Sequence, residues 1–408
     1  MKATYIFLLL IFCLEMGLGQ DIWTIFNEAN SPLPSNTVRL IQVDALNRKW
    51  IGTDFGLAVY NDSSWIVYDS TNSPLEDNAI RALYIDAQNH VWIGTMRSGL
   101  YKFDGQNWYS FNPTNSGIPD YYVRSVLVDL QNRLWVGTVE GLSMFDGTNW
   151  RIWTTSNSDL FSNNISSLLL GADGRINFGT VNGGMGYTYD TTLVVLTRNN
   201  NSGIPDNSIA EMAQDAAGNY WFASPAAGVF VQFSNTTWQS FNQANSGMPV
   251  SAANSIFIDS SDLQFIGTEQ NGIVLHSVSD QWSYYNTTNS PLPDDFIHHI
   301  QKDKSGAIWI GTRSGGLVLW EPGPTALFPL ENLIQLYPNP CSSYIQIKSA
   351  EALVETVQIF DLLGQKIEII ATETQEGWMI STSGLTAGIY QVCIAGSRGK
   401  SCHSFVKI

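Results

Sequence analysis

The sequence contains few charged residues. Asp, Glu, Lys and Arg make up 14% of its 408 residues, well below the roughly 25% usual for soluble domains. Long solvated helices need many Lys and Glu side chains, so this deficit argues against a helical bundle or a coiled coil. The 20 basic residues are outnumbered by 36 acidic ones. A net charge of −16 disfavours nucleic acid as a partner, because its phosphate backbone would be repelled.

The sequence also lacks the common motifs of catalysis and of metal binding. It contains no G-x-S-x-G, H-E-x-x-H or Walker motif and no Cys/His spacing of the kind that binds zinc. We therefore expect no cofactor and no metal. After the first twenty residues no segment approaches 18 consecutive apolar residues, so we expect no transmembrane helix.

Cysteine is scarce and lies almost entirely near the C-terminus. Three of the four cysteines are Cys341, Cys393 and Cys402. A disulfide between Cys393 and Cys402 is feasible if the segments around them pair as a hairpin, which would leave Cys341 unpaired. Three separate thiols are the alternative.

The first nineteen residues have the pattern of a secretory signal peptide. Lys2 supplies a positive charge, residues 5–14 are apolar, and Gly17 and Gly19 are small residues at the positions before a cleavage site. Ten apolar residues are too few to span a bilayer. We therefore expect residues 1–19 to direct the chain out of the cytoplasm and to be removed.

Two short patterns recur along the first three quarters of the chain. The first is a W-I-G-T element, degenerate at 221–224, whose glycines recur every 42 to 44 residues at Gly52, Gly94, Gly137, Gly179, Gly267 and Gly311. The second is an Asn-Ser-x-apolar-Pro turn, imperfect in two copies, which begins at Asn30, Asn72, Asn115, Asn157, Asn201, Asn245 and Asn289. Because two independent markers keep the same step, the sequence predicts seven copies of one structural unit.

Each repeat divides into four short strands. In the second repeat these are an apolar run ending at Asp86, the W-I-G-T strand, a strand after Gly99 and an aromatic strand beginning at Trp108. Four strands in a repeat of about 40–45 residues are typical of a β-propeller. No aromatic outer strand follows Trp320, but a spare one lies at 23–26. We therefore predict an all-β, seven-bladed propeller over 20–322, in which the N-terminal strand completes the last blade and covers its edge.

These repeats resemble those of the two-component regulator propeller family. The resemblance is carried by Trp92-Ile93-Gly94-Thr95, Gly99-Leu100 and the preceding Asp86, and it extends over about 300 residues through the sevenfold recurrence. In that family such propellers often form the periplasmic sensing part of hybrid histidine kinases that respond to carbohydrates. No kinase or regulator sequence accompanies the repeats here, so we expect a propeller without a signalling role.

The last part of the chain has a different pattern. After a Pro/Gly-rich linker at 323–332, alternating apolar strands and glycine turns predict a small, immunoglobulin-like β-sandwich at 333–408. The order of the Tyr337-Pro-Asn-Pro340 turn, the strand at 357–361, the Gly-rich segment at 384–392 and the terminal strand at 405–408 resembles the type IX (Por) C-terminal sorting domain of Bacteroidota. That resemblance implies contact with the type IX secretion machinery, passage through the periplasm, and secretion or display on the outer-membrane surface. A generic adhesive sandwich is the alternative.

The candidate site is built from residues that differ between repeats. Just after the first apolar residue of each innermost strand the chain has Arg39, Arg81, Arg124, Ser166, Ala210, Asn254 and His298. In a closed ring the seventh blade adjoins the first, so His298 and the three arginines would form one arc beside the channel. This arc predicts an anion site, for example for a uronate or a sulfated sugar. The alternative is that the arginines only pair with Asp77, Asp120 or Asp294, which precede the same strands.

Further candidates lie in loops of the same face. Polar residues follow the W-I-G-T strands, and aromatic residues that could stack on sugar rings precede an innermost strand: Asp54, Arg97, Glu140, Glu269 and Arg313, with Tyr121 and Tyr122. Each of them taken singly also fits an ordinary solvated surface.

Catalysis is left open by the sequence. Only His298 and His299 among the five histidines are placed for acid–base chemistry at this face. In a lyase, His298 would act as the base while Arg39 or Arg81 would neutralise a substrate carboxylate. Because a fold alone does not imply activity, we expect a secreted or cell-surface binding propeller that recognises an extracellular glycan or protein. A glycan lyase or hydrolase on the same face and a non-catalytic scaffold or adhesin are the alternatives.

Overall fold

The computed structural model describes residues 21–190, 192–200, 203–234, 236–278, 280–323, 334–349, 356–360, 366–367, 371–374, 377–396 and 399–408. The expected signal peptide at 1–19 and residues 324–332 of the expected linker lie outside these ranges. The chain forms two compact units, one of Trp23–Glu321 and one that includes Pro322–Ile408. The described part of the chain contains no helix long and apolar enough to cross a membrane.

The larger unit is a propeller of seven four-stranded antiparallel sheets. The first three blades are β2 (Val38–Val43), β3 (Lys49–Thr53), β4 (Leu57–Tyr60) and β5 (Trp65–Tyr68); β6 (Ile80–Ile85), β7 (Val91–Thr95), β8 (Leu100–Phe103) and β9 (Trp108–Phe111); and β10 (Val123–Val128), β11 (Leu134–Thr138), β12 (Leu142–Phe145) and β13 (Trp150–Trp153).

The next three blades follow the same order from the centre outward. They are β14 (Ile165–Leu170), β15 (Ile176–Thr180), β16 (Met185–Thr188) and β17 (Val194–Leu196); β18 (Glu211–Gln214), β19 (Tyr220–Ser224), β20 (Gly228–Gln232) and β21 (Trp238–Phe241); and β22 (Ala253–Ile258), β23 (Gln264–Thr268), β24 (Ile273–His276) and β25 (Trp282–Tyr285).

The seventh blade contains both ends of the propeller. Its inner strands are β26 (Ile297–Lys302), β27 (Ile308–Thr312) and β28 (Leu317–Glu321), and its outer strand is β1 (Ile22–Phe26). The prediction of seven blades closed by the N-terminal strand is therefore confirmed. Trp23 stacks on Trp320 with ring centroids 4.8 Å apart, so the closing strand also covers an aromatic face of the blade.

The W-I-G-T glycine is required by the contact between neighbouring blades. A Cβ on Gly52 would lie 2.8 Å from Cγ2 of Ile80, the first residue of the next innermost strand. The same close approach recurs around the ring, and Gly311 meets Val38 across the closing junction. The fifth blade has Ala223 in place of the glycine, and the sixth has Ala253 in place of the branched residue; both alanines lie in one buried cluster. The two positions therefore compensate each other in size.

This compensation predicts the outcome of a mutant cycle at the first interface. We expect Gly52→Ala to lower the free energy of unfolding by about 1–3 kcal/mol through overpacking, and Ile80→Ala to lower it by about 2–5 kcal/mol through the cavity it leaves. In the double variant the new methyl group enters that cavity, so the loss should be no greater than that of Ile80→Ala alone. Urea unfolding followed by tryptophan fluorescence measures all three values, and additive losses would contradict this packing role.

In six of the seven blades the turn between the first two strands is built on an aspartate. In the third blade, Oδ1 of Asp129 accepts hydrogen bonds from the backbone N–H groups of Gln131 and Arg133, both at 2.9 Å. Its Oδ2 accepts a bond from Nε1 of Trp135 at 2.8 Å. The backbone bonds form an Asx turn. The hydrogen bond from the indole explains why a tryptophan occupies the first position of the W-I-G-T element. The spacing of the repeats alone did not indicate this role.

The C-terminal unit contains two four-stranded sheets. One has the order β29 (Ile334–Tyr337), β30 (Tyr344–Ser349), β34 (Gly377–Ser381) and β33 (Ala371–Thr374); the other has β32 (Lys366–Ile367), β31 (Thr356–Phe360), β35 (Gly388–Gly396) and β36 (Gly399–Lys407). Residues from both sheets, among them Ile345, Ile347, Ile359 and Phe405, form one buried cluster.

The C-terminal hairpin contains the two cysteines that were considered for a disulfide. β35 pairs with β36, and the backbone of Cys393 lies opposite that of Cys402. Their side chains lie outside the described part of the structure, so the disulfide stays a prediction. Cys341 is buried as a free thiol, and its Sγ lies 3.7 Å from Oγ1 of Thr382.

Candidate functional site

A cavity of about 320 Å³ lies where the seven innermost strands meet. Neighbouring innermost strands contact one another around a full circle, and β26 contacts β2 to close it. The seven residues at the predicted ring position all line this cavity: Arg39, Arg81, Arg124, Ser166, Ala210, Asn254 and His298. The structure thus brings the three arginines and His298 together on the consecutive blades seven, one, two and three.

A β-bulge directs the ring residues into the cavity. Val38 pairs with Thr53, but the next pair is Leu40 with Gly52, so Arg39 is an extra residue in its strand. The same shift occurs in β6, β10, β14, β22 and β26. A bulge interrupts the alternation of side chains between the two faces of a sheet. Arg39 and Leu40 therefore both line the cavity, as do His298 and His299.

Arg39 and Arg81 share one carboxylate. Nε and Nη2 of Arg39 donate to the two oxygens of Asp54 at 3.0 and 3.2 Å, and Nη1 of Arg81 lies 2.8 Å from Oδ1 of the same residue. Burial raises the pKa of Asp54, but the hydrogen bonds and charges of the two arginines outweigh it and hold that pKa below its usual value. Asp54, which follows the first W-I-G-T strand, therefore fixes two of the three arginines in place.

The aspartates that precede the innermost strands do not pair with the arginines. Asp77 and Asp120 each accept a backbone N–H bond two residues ahead, from Ala79 at 3.1 Å and from Tyr122 at 2.7 Å. Asp294 accepts the N–H of Phe296 at 2.9 Å and that of Ser314 at 2.7 Å. These carboxylates stabilise the turns that lead into the strands, and the pairing considered from the sequence is wrong.

Arg124 has a different environment from the other two arginines. Its Nη1 donates to Oδ1 of Asn164 at 3.2 Å, and its guanidinium lies 5.8 Å from the ring centroid of Tyr122. Among the described residues Arg124 makes no ion pair with a carboxylate. Its positive charge is therefore available to a ligand, and Tyr122 lies beside it in the cavity wall.

The two histidines of the seventh blade carry unpaired polar atoms. Nε2 of His298 and Nδ1 of His299 are buried with no hydrogen-bond partner among the described residues. Burial, together with the charges of Arg39 and Arg313, lowers the pKa of His298 to about 4, although Asp54 and Asp294 act in the opposite direction. His298 is therefore neutral at pH 7. His299 contacts Oε1 of Glu211 through Nε2 at 3.4 Å.

The other candidates lie outside the cavity wall. Arg97, Arg313 and Tyr121 are exposed and do not line the cavity; the guanidinium of Arg313 lies 5.2 Å from the ring centroid of Phe296. Asn164 and Glu211 were not among the site residues predicted from the sequence. Glu211 directly follows the ring residue Ala210, and the signal for it was missed because an alternating strand would have turned it away from the cavity.

Within the described ranges, no three His, Cys, Asp or Glu side chains are grouped closely enough to hold a metal ion. The polar part of the cavity wall consists of guanidinium, imidazole, amide and hydroxyl groups and the single carboxylate of Glu211. Such a wall is suited to binding an anion that also carries hydroxyl groups.

Both parts of the chain match known families. Residues 74–97 and 291–314 match the two component regulator propeller, and residues 335–408 match the secretion system C-terminal sorting domain. The two resemblances inferred from the sequence are therefore confirmed. The sorting domain indicates export by the type IX system to the cell surface or into the medium, and it implies contact with that machinery.

Solved structures share the fold at low sequence identity. PorZ of Porphyromonas gingivalis, an essential bacterial surface component of the type-IX secretion system, aligns with a TM-score of 0.63 and 17% identity over 94% of this chain and 61% of its own. The extracellular domain of BT3049 from B. thetaiotaomicron aligns with a TM-score of 0.61 and 19% sequence identity. The alignment covers 91% of this chain and 52% of that domain. Virginiamycin B lyase from Staphylococcus aureus aligns with a TM-score of 0.59 and 13% sequence identity. The alignment covers 74% of this chain and 99% of the lyase.

These likenesses show the fold alone. The chain spans 61% of the length of PorZ and 52% of the BT3049 domain, and no curated protein matches it. The fold, the repeats and the sorting domain together define a secreted or surface-displayed propeller.

Proposed function

We propose that this exported propeller binds an acidic extracellular glycan in the cavity at the centre of the ring. Residues 1–19 would direct the chain to the periplasm, and the C-terminal domain would take it across the outer membrane. Arg39, Arg81, Arg124 and His298 form the binding arc, with Tyr122 beside it. The observation that carries the proposal is the position of Arg124, a cation in the cavity wall with no carboxylate partner among the described residues.

The charge of the cavity supports an anionic ligand. The chain as a whole has a net charge of −16, yet three arginines and a single carboxylate, that of Glu211, line the cavity. Oε2 of Glu211 already accepts the backbone N–H of Ile256 at 3.0 Å. Asp54 neutralises one of the paired arginines at most. A guanidinium binds a carboxylate or sulfate through two parallel hydrogen bonds, which makes Arg the favoured residue for such groups.

We expect Arg124→Gln to weaken the binding of an acidic oligosaccharide more than tenfold. A hydrogen bond to a charged group contributes about 1.5–3 kcal/mol, and each 1.4 kcal/mol is about tenfold in affinity. An array of uronate-containing and sulfated oligosaccharides, followed by calorimetry on each one that binds, measures the change.

Arg151→Gln is the matched control, because Arg151 is exposed on the outer strand of the same blade. It removes the same charge away from the cavity and should change the affinity less than twofold. No binding of any acidic saccharide, or equal losses in the two variants, would reject the proposed function.

A second candidate, a polysaccharide lyase, rests on His298. A histidine that is neutral at pH 7 can accept a proton, and the nearby Arg39 could neutralise a substrate carboxylate. Incubation with acidic polysaccharides and measurement of the absorbance of unsaturated products distinguish the two candidates. Turnover that is lost in His298→Asn would favour the lyase, whereas binding without turnover favours recognition alone.

A further inference from the structure

The shape of the cavity restricts how a polymer can enter it. Strands from all seven blades surround the site, and each innermost strand contacts the next one. An internal segment of a polysaccharide would have to lie across the opening of the ring, where its chain continues in both directions. A chain end, or a free sugar, can place a ring between Arg124 and the opposite wall without the chain having to continue past it.

The size of the cavity agrees with a small ligand. Its volume of about 320 Å³ lies at the lower end of the range of about 300–1,000 Å³ found for small-molecule sites. Tyr122 offers an aromatic ring beside the guanidinium of Arg124, and such a ring can pack against the apolar face of a sugar.

The wall away from Arg124 carries polar atoms suited to hydroxyl groups. Nε2 of His298, Nδ1 of His299 and Nδ2 of Asn254 are buried and have no hydrogen-bond partner in the described part of the chain. All three residues line the cavity. A buried polar group without a partner is unfavourable, and a sugar hydroxyl can both donate and accept a hydrogen bond. The wall is therefore better satisfied by a polyhydroxylated ligand than by an inorganic anion.

We infer that the cavity holds one terminal acidic sugar residue, which enters end-on with its carboxylate on Arg124 and its hydroxyl groups facing Asn254 and His298. This inference rests on the proposed function and specifies its ligand: the protein recognises the end of an acidic glycan rather than its length.

Chain length provides the test. Calorimetry on the full mature chain compares galacturonate, trigalacturonate and decagalacturonate, with hyaluronan oligosaccharides of two, four and ten sugars in parallel. End-on binding predicts dissociation constants per mole of chain that agree within about threefold between the short and the long oligomers. Free galacturonate or glucuronate should compete with its own series and bind no more than tenfold more weakly.

Two variants separate end-on binding from binding across the face. Asn254→Asp introduces a carboxylate into the cavity wall with little change in size and should weaken every oligomer of the binding series more than tenfold. Arg97→Gln removes a charge from the surrounding loops, outside the cavity, and should change the affinity less than twofold.

The opposite results would overturn the inference. Three results would place an internal segment across the face. The affinity per chain would rise more than tenfold from the short to the long oligomer, and the monosaccharide would not compete. Arg97→Gln would weaken binding, whereas Asn254→Asp would not. The proposed function would then stand without this inference. If neither series nor any other acidic saccharide binds, the proposed function itself is rejected and the inference falls with it.

Discussion

A chain that lacks residues 21–26 will lose at least about 5 kcal/mol of the propeller's unfolding free energy, beyond the range of ordinary single substitutions. The deletion removes β1, the outer strand of the seventh blade. It uncovers Trp320, which is fully buried, and removes Phe26, which packs 5.5 Å from Trp65 of the first blade. It also leaves β28 as an exposed edge. Thirteen of the 14 tryptophans lie between residues 23 and 320, so denaturant unfolding followed by tryptophan fluorescence reports on this unit.

A peptide supplied in trans distinguishes the closing contact from a general effect of truncation. A synthetic peptide of residues 20–30 should bind the truncated chain and raise its unfolding midpoint, because it restores the missing strand. The same peptide with Trp23→Asp and Phe26→Asp should have no effect. If the unfolding free energies of the truncated and the full chain agree within 1 kcal/mol, the closure of the ring does not depend on β1.

The architecture could be predicted because each repeat carries markers for fixed positions in a blade. The W-I-G-T glycine marks the contact with the next blade, as Gly52 against Ile80 shows. The missing aromatic strand after Trp320 and the spare one at Trp23 together indicated how the ring closes. These are local requirements of a blade, so a single sequence repeats most of them from blade to blade, and the fifth blade meets the glycine requirement through the pair Ala223 and Ala253 instead.

The details of the site could be predicted only in part. The ring position followed from the repeat, and the structure places all seven of its residues in one cavity. The partner of Arg39 and Arg81 did not follow, because Asp54 lies in a loop whose direction no repeat marker specifies. Glu211 was missed because strict alternation along the strand would have turned it away from the centre, whereas in the structure both Ala210 and Glu211 line the cavity.

The repeat also shows how each turn aspartate acquires a cation or a hydrogen-bond donor. In four blades the residue four positions later supplies it: Arg48, His90, Arg133 and Asn219 contact Asp44, Asp86, Asp129 and Asp215. In the last two blades that position is Leu263 or Ala307, and a lysine of the next blade replaces it. Lys302 lies 2.8 Å from Asp259, and Lys49 lies 3.1 Å from Asp303. The second of these pairs joins the first blade to the last.

Replacement of Lys49 should therefore strongly lower the free energy of unfolding. Its side chain is fully buried between Asp303 and Asp62, and Nζ lies 5.0 Å from the ring centroid of Trp309. We expect Lys49→Met to cost about 3–5 kcal/mol, because it leaves the buried carboxylate of Asp303 without its cation. Burial raises the pKa of Asp303, and bonds from Ser305, Trp309 and Lys49 together lower it below its usual value. Without Lys49 that pKa rises, so Asp303 becomes protonated and loses its unpaired charge as the pH falls from 7 towards 4. The difference in unfolding free energy between the variant and the unmodified chain should therefore narrow over this pH range.

A second substitution tests whether the cation itself is what the site needs. Ala307→Arg places a guanidinium four residues after Asp303, as in the first and third blades, where Arg48 and Arg133 lie 5.5 and 5.6 Å from the rings of Trp50 and Trp135. Added to Lys49→Met, it should restore at least half of the lost unfolding free energy, whereas Ala307→Arg alone should add nothing because Asp303 is already paired. A deficit that stays the same at every pH and is not restored by the arginine would show that Lys49 contributes packing volume rather than charge.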